Sequence, residues 1–249
     1  MAEPILKTNG ISKRFGALMA CDAVDFDLRP GEVHALIGPN GAGKSTFIRQ
    51  ITGEQVPDEG QVTFHGDDIT ALDVPARSRA GLARTFQISS LIDGFTALEN
   101  VMLAVQGHKR RSFSFFRRAV RDPSLTEPAM EHLAASGLGE RSEEKAANLS
   151  HGERRQLELA MALALQPKVF LMDEPMAGIG PGGSVVLTSI LEELKVQAPI
   201  LLVEHDMEAV FKLADRVTVL VGGKVIAHGS VNDIRNNAQV REAYLGEGA

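Results

Sequence analysis

Within 249 residues there is one cysteine, Cys21, one tyrosine and no tryptophan. A lone cysteine excludes an intramolecular disulfide, which suits a reducing compartment, and ordinary packing is the expected role of its thiol. No stretch approaches the roughly 18 apolar residues that a membrane-spanning helix needs, and Met1-Ala2-Glu3-Pro4 lacks the basic start and apolar run of a secretory signal. The expectation is a soluble chain that is not secreted. Positive charge is also short: 26 Lys and Arg against 32 Asp and Glu leave a net charge of −6. That balance argues against nonspecific nucleic-acid binding while leaving room for a local basic patch. Hydrophobic residues, at 44%, suffice for one large α/β domain or for a core with a small appended subdomain, and the second arrangement is expected.

One stretch organises the chain. Gly38-Pro39-Asn40-Gly41-Ala42-Gly43-Lys44-Ser45-Thr46 matches G-x-x-x-x-G-K-[ST] at every fixed position, the pattern of a backbone cradle for phosphates. Gly41 and Gly43 let the chain curl until its N–H groups face an anion, and Lys44 adds a point charge. Ser45 is placed to ligate Mg²⁺ through its hydroxyl. Val33, Ala35, Leu36 and Ile37 read as a buried strand, and Lys44 to Thr52 as a helix ending at Gly53, so the cradle falls at a helix N-terminus where the dipole favours negative charge.

Around this unit, Ile5 to Lys7, Val24 to Leu28 and Gln61 to His65 read as short antiparallel strands. Phe15, upstream on Lys13-Arg14-Phe15-Gly16, can either stack on a nucleotide base or pack in the core, and the residues alone leave both open. After Arg84-Thr85-Phe86-Gln87 the pattern changes to helix. Thr96 to Glu99 has capping-box spacing and opens a helix with Leu98, Val101, Met102 and Val105 on one face. Further helices are expected over Ala129 to Ser136 and Ser142 to Ala147. Ahead of both, Lys109, Arg110, Arg111, Arg117, Arg118 and Arg121 alternate with Phe113, Phe115 and Phe116. Such a segment can meet phospholipid headgroups or simply be solvated surface.

Two further motifs carry chemistry. Leu149-Ser150-His151-Gly152-Glu153 precedes a helix built on Leu157, Ala160, Met161 and Ala164. Its S-x-x-E spacing is a capping box, and the same geometry offers a hydroxyl and a bare glycine backbone to an anion at a helix N-terminus. Lys168 to Met172 reads as a buried strand ending in Asp173 and Glu174. In open parallel sheets ligands gather beyond strand C-termini, so Asp173 can reach Mg²⁺ and Glu174 can orient or deprotonate an attacking water. His205, after the strand Pro199 to Val203 and before the capping Asp206, can hydrogen-bond a terminal phosphate.

In this order the motifs resemble the ATP-binding cassette ATPases over nearly the whole chain. The resemblance implies a P-loop NTPase fold of class α/β: a RecA-like parallel sheet with an antiparallel β subdomain, plus a helical subdomain. It implies one cassette domain over 1–249, with 1–87 and 167–249 as nucleotide-binding core and 88–166 as the helical signature subdomain. ATP and Mg²⁺ are the implied cofactors. Lys44, Gln87, Glu174 and His205 take the catalytic roles. Phe15, Gly38, Asn40, Gly41, Ala42, Gly43, Lys44, Ser45, Thr46, Ser150, Gly152 and Glu153 take the nucleotide, and Ser45, Gln87 and Asp173 the metal. Two cassettes would sandwich two ATP molecules, Ser150 and Gly152 of one completing the site of the other, with Gln87 signalling to the helical insertion that docks on a membrane partner.

Gly81 to Gln87, Met176 to Pro181 and Arg241 to Gly246 are most similar to ATP-binding subunits of importers for branched-chain amino acids and for related urea, amide or small carboxylate cargo. That implies membrane permease subunits, a second ATPase subunit (identical or a paralogue), a solute-binding protein acting indirectly, no nucleic acid, and a peripheral position on the cytoplasmic side of the inner membrane. Two departures stand out. His151 and Glu153 replace the commonest Gly and Gln of the signature, and Gly180 stands where most of the family has an aspartate that helps couple the two sites. An exporter or lipid-extracting ATPase would use the same catalytic residues, and non-transport cassette proteins usually carry two cassettes or a long coiled-coil insertion. A GTPase would need an N-K-x-D motif, which does not occur.

Overall fold

The computed structural model describes residues 3–85, 91–108, 122–176, 181–204 and 207–245. They form two compact units, one of residues 1–84, 168–174 and 191–249, the other of 85–167 and 175–190.

The first unit holds the strands that the sequence placed around the cradle. β1 (Leu6–Phe15), β2 (Leu18–Leu28), β4 (Glu59–Phe64) and β5 (Asp67–Asp68) form an antiparallel sheet in the order β2-β1-β4-β5. β1 runs well beyond the three residues expected. Its register shifts between Thr8 and Ile11, Ile11 and Lys13, and Lys13 and Arg14, so the period-2 pattern that would reveal the strand is broken by bulges. The second sheet takes β3 (Val33–Ile37), β6 (Leu82–Thr85), β7 (Val169–Asp173), β8 (Ile200–Val203), β9 (Arg216–Val221) and β10 (Lys224–Ser230) in the order β10-β9-β3-β8-β7-β6. β3 lies parallel to both β8 and β9, β8 parallel to β7, and β10 antiparallel to β9.

β3, buried along its whole length, divides its side chains between two cores. Leu36 packs with Phe47, Ile48 and Ile51 of α1 (Lys44–Thr52) and with Phe26 and Val62. Ala35 and Ile37 pack on the opposite face with Val210 of α7 (Met207–Leu213), Ile234 of α8 (Val231–Asn236) and Val240 of α9 (Ala238–Leu245). Alternation sends successive residues to opposite faces, so an uninterrupted apolar strand fits where both faces are covered. Two helices complete the unit's neighbourhood in the chain: α2 (Val74–Ala80) before β6, and α6 (Pro181–Gln197), whose last residues belong to this unit.

The second unit is helical. α3 (Ala97–His108), α4 (Pro123–Ala135) and α5 (His151–Ala164) enclose Leu98, Val101, Met102 and Val105 with Leu125, Leu133, Leu157 and Ala160. The expected capping box of α3 forms: Thr96 N–H donates to Glu99 Oε2 at 2.8 Å and Glu99 N–H to Thr96 Oγ1 at 3.1 Å. α4 starts six residues before the expected Ala129, because Asp122 caps it and Pro123 sits at its first position. Pro128 is carried inside the helix rather than starting it. Ser142 to Ala147 is not an α-helix: residues 142–145 are irregular, between the 3-10 segments Gly139–Arg141 and Ala146–Asn148. No helix of the described residues is long and apolar enough to cross a membrane.

One polar network lies inside the first unit. His34 is fully buried, with Nδ1 2.7 Å from the Asp27 carbonyl and Nε2 2.8 Å from Thr218 Oγ1, which in turn lies 2.9 Å from His228 Nδ1. Burial first, then the Arg216 charge, pushes the His34 pKa down to about 3. The unfolded chain therefore binds a proton here that the folded chain refuses. Stability from this group is fully present above about pH 6.5 and is lost as pH falls toward 3, at up to about 1.4 kcal/mol per pH unit. Urea unfolding at pH 7.5, 6 and 5 should give a pH slope that is steeper for the native chain than for His34→Gln; equal slopes would show that His34 does not carry it.

Candidate functional site

The cradle begins where β3 ends. Gly38 follows Ile37 at the C-terminal end of a central strand, and α1 starts at Lys44. Backbone packing leaves no room for side chains at two of its glycines. A Cβ on Gly38 would lie 2.1 Å from the Leu220 carbonyl oxygen, and one on Gly43 would lie 2.1 Å from that of Ala20. Gly41 meets no neighbour within 4 Å but has φ +77, a conformation that costs other residues energy. Gly223 N–H donates to the Ala42 carbonyl at 2.9 Å, so the β9–β10 turn also grips the loop. Lys44 Nζ donates to the carbonyls of Gly38 and Pro39, which turns its charge over the mouth of the loop. Ser45 is exposed and Thr46 half-buried in the first turn of α1.

The acid pair stands two strands away. With β8 between β3 and β7, their C-terminal ends are about 10 Å apart. Asp173 closes β7 and is 6% exposed, while Glu174 is exposed with φ 51. That left-handed backbone is rare for a residue with a side chain, and strain of this kind gathers at functional sites. Glu174 N–H donates to the Val203 carbonyl at 2.8 Å, which holds the turn against β8. Burial raises the Asp173 pKa, the Arg84 charge opposes it, Glu174 adds to it, and Lys44 again lowers it. Its carboxylate thus lies under the influence of the cradle lysine.

Arg84 on β6 is a site residue that no motif of the sequence singles out. Its Nη2 lies 3.4 Å from Asp173 Oδ2, and its Nη1 pairs with Glu54, just past α1. Gly81 to Gln87 served only as a family likeness. The available signal was a basic residue inside a short strand, where charge is rarely buried without a partner.

Phe15 is 45% exposed at the end of β1, which removes core packing as its role. Cys21, by contrast, is fully buried with its pKa pushed up to about 11 by burial. In the helical unit, Ser150 and Glu153 form the capping box: Ser150 N–H donates to Glu153 Oε2 at 2.8 Å and Glu153 N–H to Ser150 Oγ at 3.3 Å. The Ser150 amide holds the Glu153 carboxyl below its ordinary range, with Arg141 3.1 Å away assisting. A Cβ on Gly152 would meet nothing within 4 Å among the described residues. Gln87, His205, Gly180 and the basic stretch 109–121 lie outside the described residues.

The residues present fit a nucleotide with its metal. A loop that excludes Cβ atoms and opens a helix suits phosphates, and a hydroxyl with a buried carboxylate suits a hard cation.

The family description "ABC transporter" matches residues 21–177. A second, "Branched-chain amino acid ATP-binding cassette transporter", matches residues 224–249. The high-affinity branched-chain amino acid transport ATP-binding protein LivG of Escherichia coli K12 is 37% identical, the match covering 99% of this chain and 100% of LivG. The crystal structure of an ATP-binding cassette of an ABC transporter in its ADP conformation superposes with a TM-score of 0.87 at 32% identity, over 98% of this chain and 100% of that one. The dimeric structure of a bacterial ABC transporter cassette gives a TM-score of 0.76 at 25% identity, over 91% and 98%. With a cradle at the end of a central parallel strand, an acid pair two strands away and these likenesses across its length, this chain belongs to the ABC transporter family as one of its ATP-binding cassettes.

Proposed function

We propose that this chain is the ATP-hydrolysing subunit of an importer for branched-chain amino acids. The observation that carries the reading is the end-to-end match with a transport protein named for that cargo, reinforced by the separate match at residues 224–249. Its working position is peripheral, on the cytoplasmic side of the inner membrane, bound to membrane permease subunits and served indirectly by a solute-binding protein.

In this reading Phe15 stacks on adenine, and the cradle backbone of Gly38 to Thr46 with Lys44 holds the phosphates. Ser45 and Asp173, with Gln87, hold Mg²⁺, which when bound neutralises charge on the phosphate oxygens. Glu174 orients or deprotonates the water that attacks the terminal phosphorus, and His205 hydrogen-bonds that phosphate. Ser150 and Gly152 of a second cassette, identical or a paralogue, close the site. The open space around Gly152 supports this, because nothing among the described residues of the chain itself requires a glycine there.

Purification of the tagged chain from native membranes in mild detergent should bring two multi-span permease chains, identified by mass spectrometry. A lipid-export membrane chain in their place would keep the ATPase chemistry and overturn the import role. Glu174→Gln should lower kcat at least about 100-fold while leaving MgATP binding intact, and undiminished turnover would remove Glu174 from its role. Lys44→Ala should weaken ATP binding by about tenfold or more, the loss expected for charge-assisted hydrogen bonds; unchanged affinity by calorimetry would count against the cradle.

A further inference from the structure

The helix that opens at the cradle must also end, and its end is held from another element. α1 is Lys44–Thr52, so the carbonyls of Arg49, Gln50, Ile51 and Thr52 have no backbone partner within the helix. Gln55 N–H and Thr52 Oγ1 take the Arg49 carbonyl, at 3.0 and 3.2 Å. The next two are taken by a side chain 26 residues further on: Arg77 Nη1 donates to the carbonyls of Gln50 and Ile51 at 2.6 Å each. The same guanidinium donates through Nη2 to the Thr70 carbonyl at 2.8 Å and through Nε to the Leu72 carbonyl at 3.0 Å.

Arg77 is 1% exposed, among the largest fully buried side chains of the protein. No carboxylate lies within ion-pair distance of it among the described residues, and its charge is met by four backbone oxygens, two of them at the negative end of a helix dipole. Gly53 has the matching shape. It ends α1 with φ +84, and a Cβ there would lie 2.9 Å from the Leu72 carbonyl oxygen and 3.0 Å from Arg77 Nε. Arg77 belongs to α2, which Gly81 ends just before β6, the strand that delivers Arg84 to Asp173 and Glu54. One short segment therefore grips the far end of the cradle helix and the metal-binding aspartate.

We infer that Arg77 is a positioning residue for nucleotide binding: by clamping the C-terminal carbonyls of α1 it fixes the helix whose N-terminal N–H groups receive the phosphates. This rests on the cradle reading given above. A fork with four donors in use explains why the residue is arginine. Lysine would keep the charge but has three donors on one nitrogen and cannot span four carbonyls.

The test uses the full chain with Arg77→Lys, Arg77→Met and Lys44→Ala. ATP affinity is measured by calorimetry well below each variant's melting temperature, so that the folded fractions are equal. Both Arg77 variants should bind ATP about tenfold more weakly than the native chain, because small displacements of positioned groups are costly. A purely architectural Arg77 would lower the melting temperature and leave the affinity of the folded protein unchanged, and that result overturns the inference. If Lys44→Ala also binds like the native chain, the cradle reading fails with it; if only Lys44→Ala is weakened, this inference alone fails. Native protein gives a readout that does not depend on the variants folding. Coupling is reciprocal, so ATP should slow hydrogen exchange over residues 70–81 more than over α8 at 231–236. Equal slowing in both segments also overturns the inference.

Discussion

The structure depends on a turn of backbone that no side chain can enter. Between β3 and α1 the loop passes so close to Leu220 and Ala20 that a Cβ at Gly38 or Gly43 would lie 2.1 Å from a carbonyl oxygen. Leu220 belongs to β9 of the parallel sheet and Ala20 to β2 of the antiparallel one. The cradle is therefore pinned by strands of both sheets, with the Gly223 amide as a third hold through Ala42. A loop so held has its backbone path fixed by packing, and a fixed path is what preorganisation at an anion site requires.

Opposite the cradle, two effects compete at Asp173. Burial favours the neutral acid, while Arg84 and Lys44 favour the carboxylate. A buried carboxylate needs compensation, and here it comes from a guanidinium on a neighbouring strand and an ammonium on the cradle. Glu174, one residue on, is freed from the strand by its positive φ and reaches solvent. Adjacent acids thus acquire different surroundings from a single change of backbone conformation: one enclosed and charge-compensated, the other exposed.

Local patterns made much of this legible. The cradle helix ends at Thr52 and Gly53 as its sequence implies, and the capping boxes at Thr96 and Ser150 form as spaced. β1 extends beyond its legible residues because bulges break its alternation, and α4 begins ahead of Ala129 because Asp122 caps it and Pro123 takes its first position. Arg77 and Arg84 were invisible for a deeper reason. An arginine in a sequence reads as solvated, and only tertiary contact brings Gln50, Ile51, Thr70 and Leu72 carbonyls, or Glu54 and Asp173, to its donors.

The glycines separate into kinds that a sequence writes with the same letter. Gly38 and Gly43 are demanded by contacts inside the chain, Gly41 and Gly53 by backbone conformation, with Gly53 also shaped around Arg77. Gly152 is different: it opens the helix of the signature, meets no atom within 4 Å where its Cβ would be, and has no positive φ. No contact among the described residues calls for a glycine there. A bare backbone at a capped helix N-terminus suits an anion, which is the chemistry the cradle handles in the other unit.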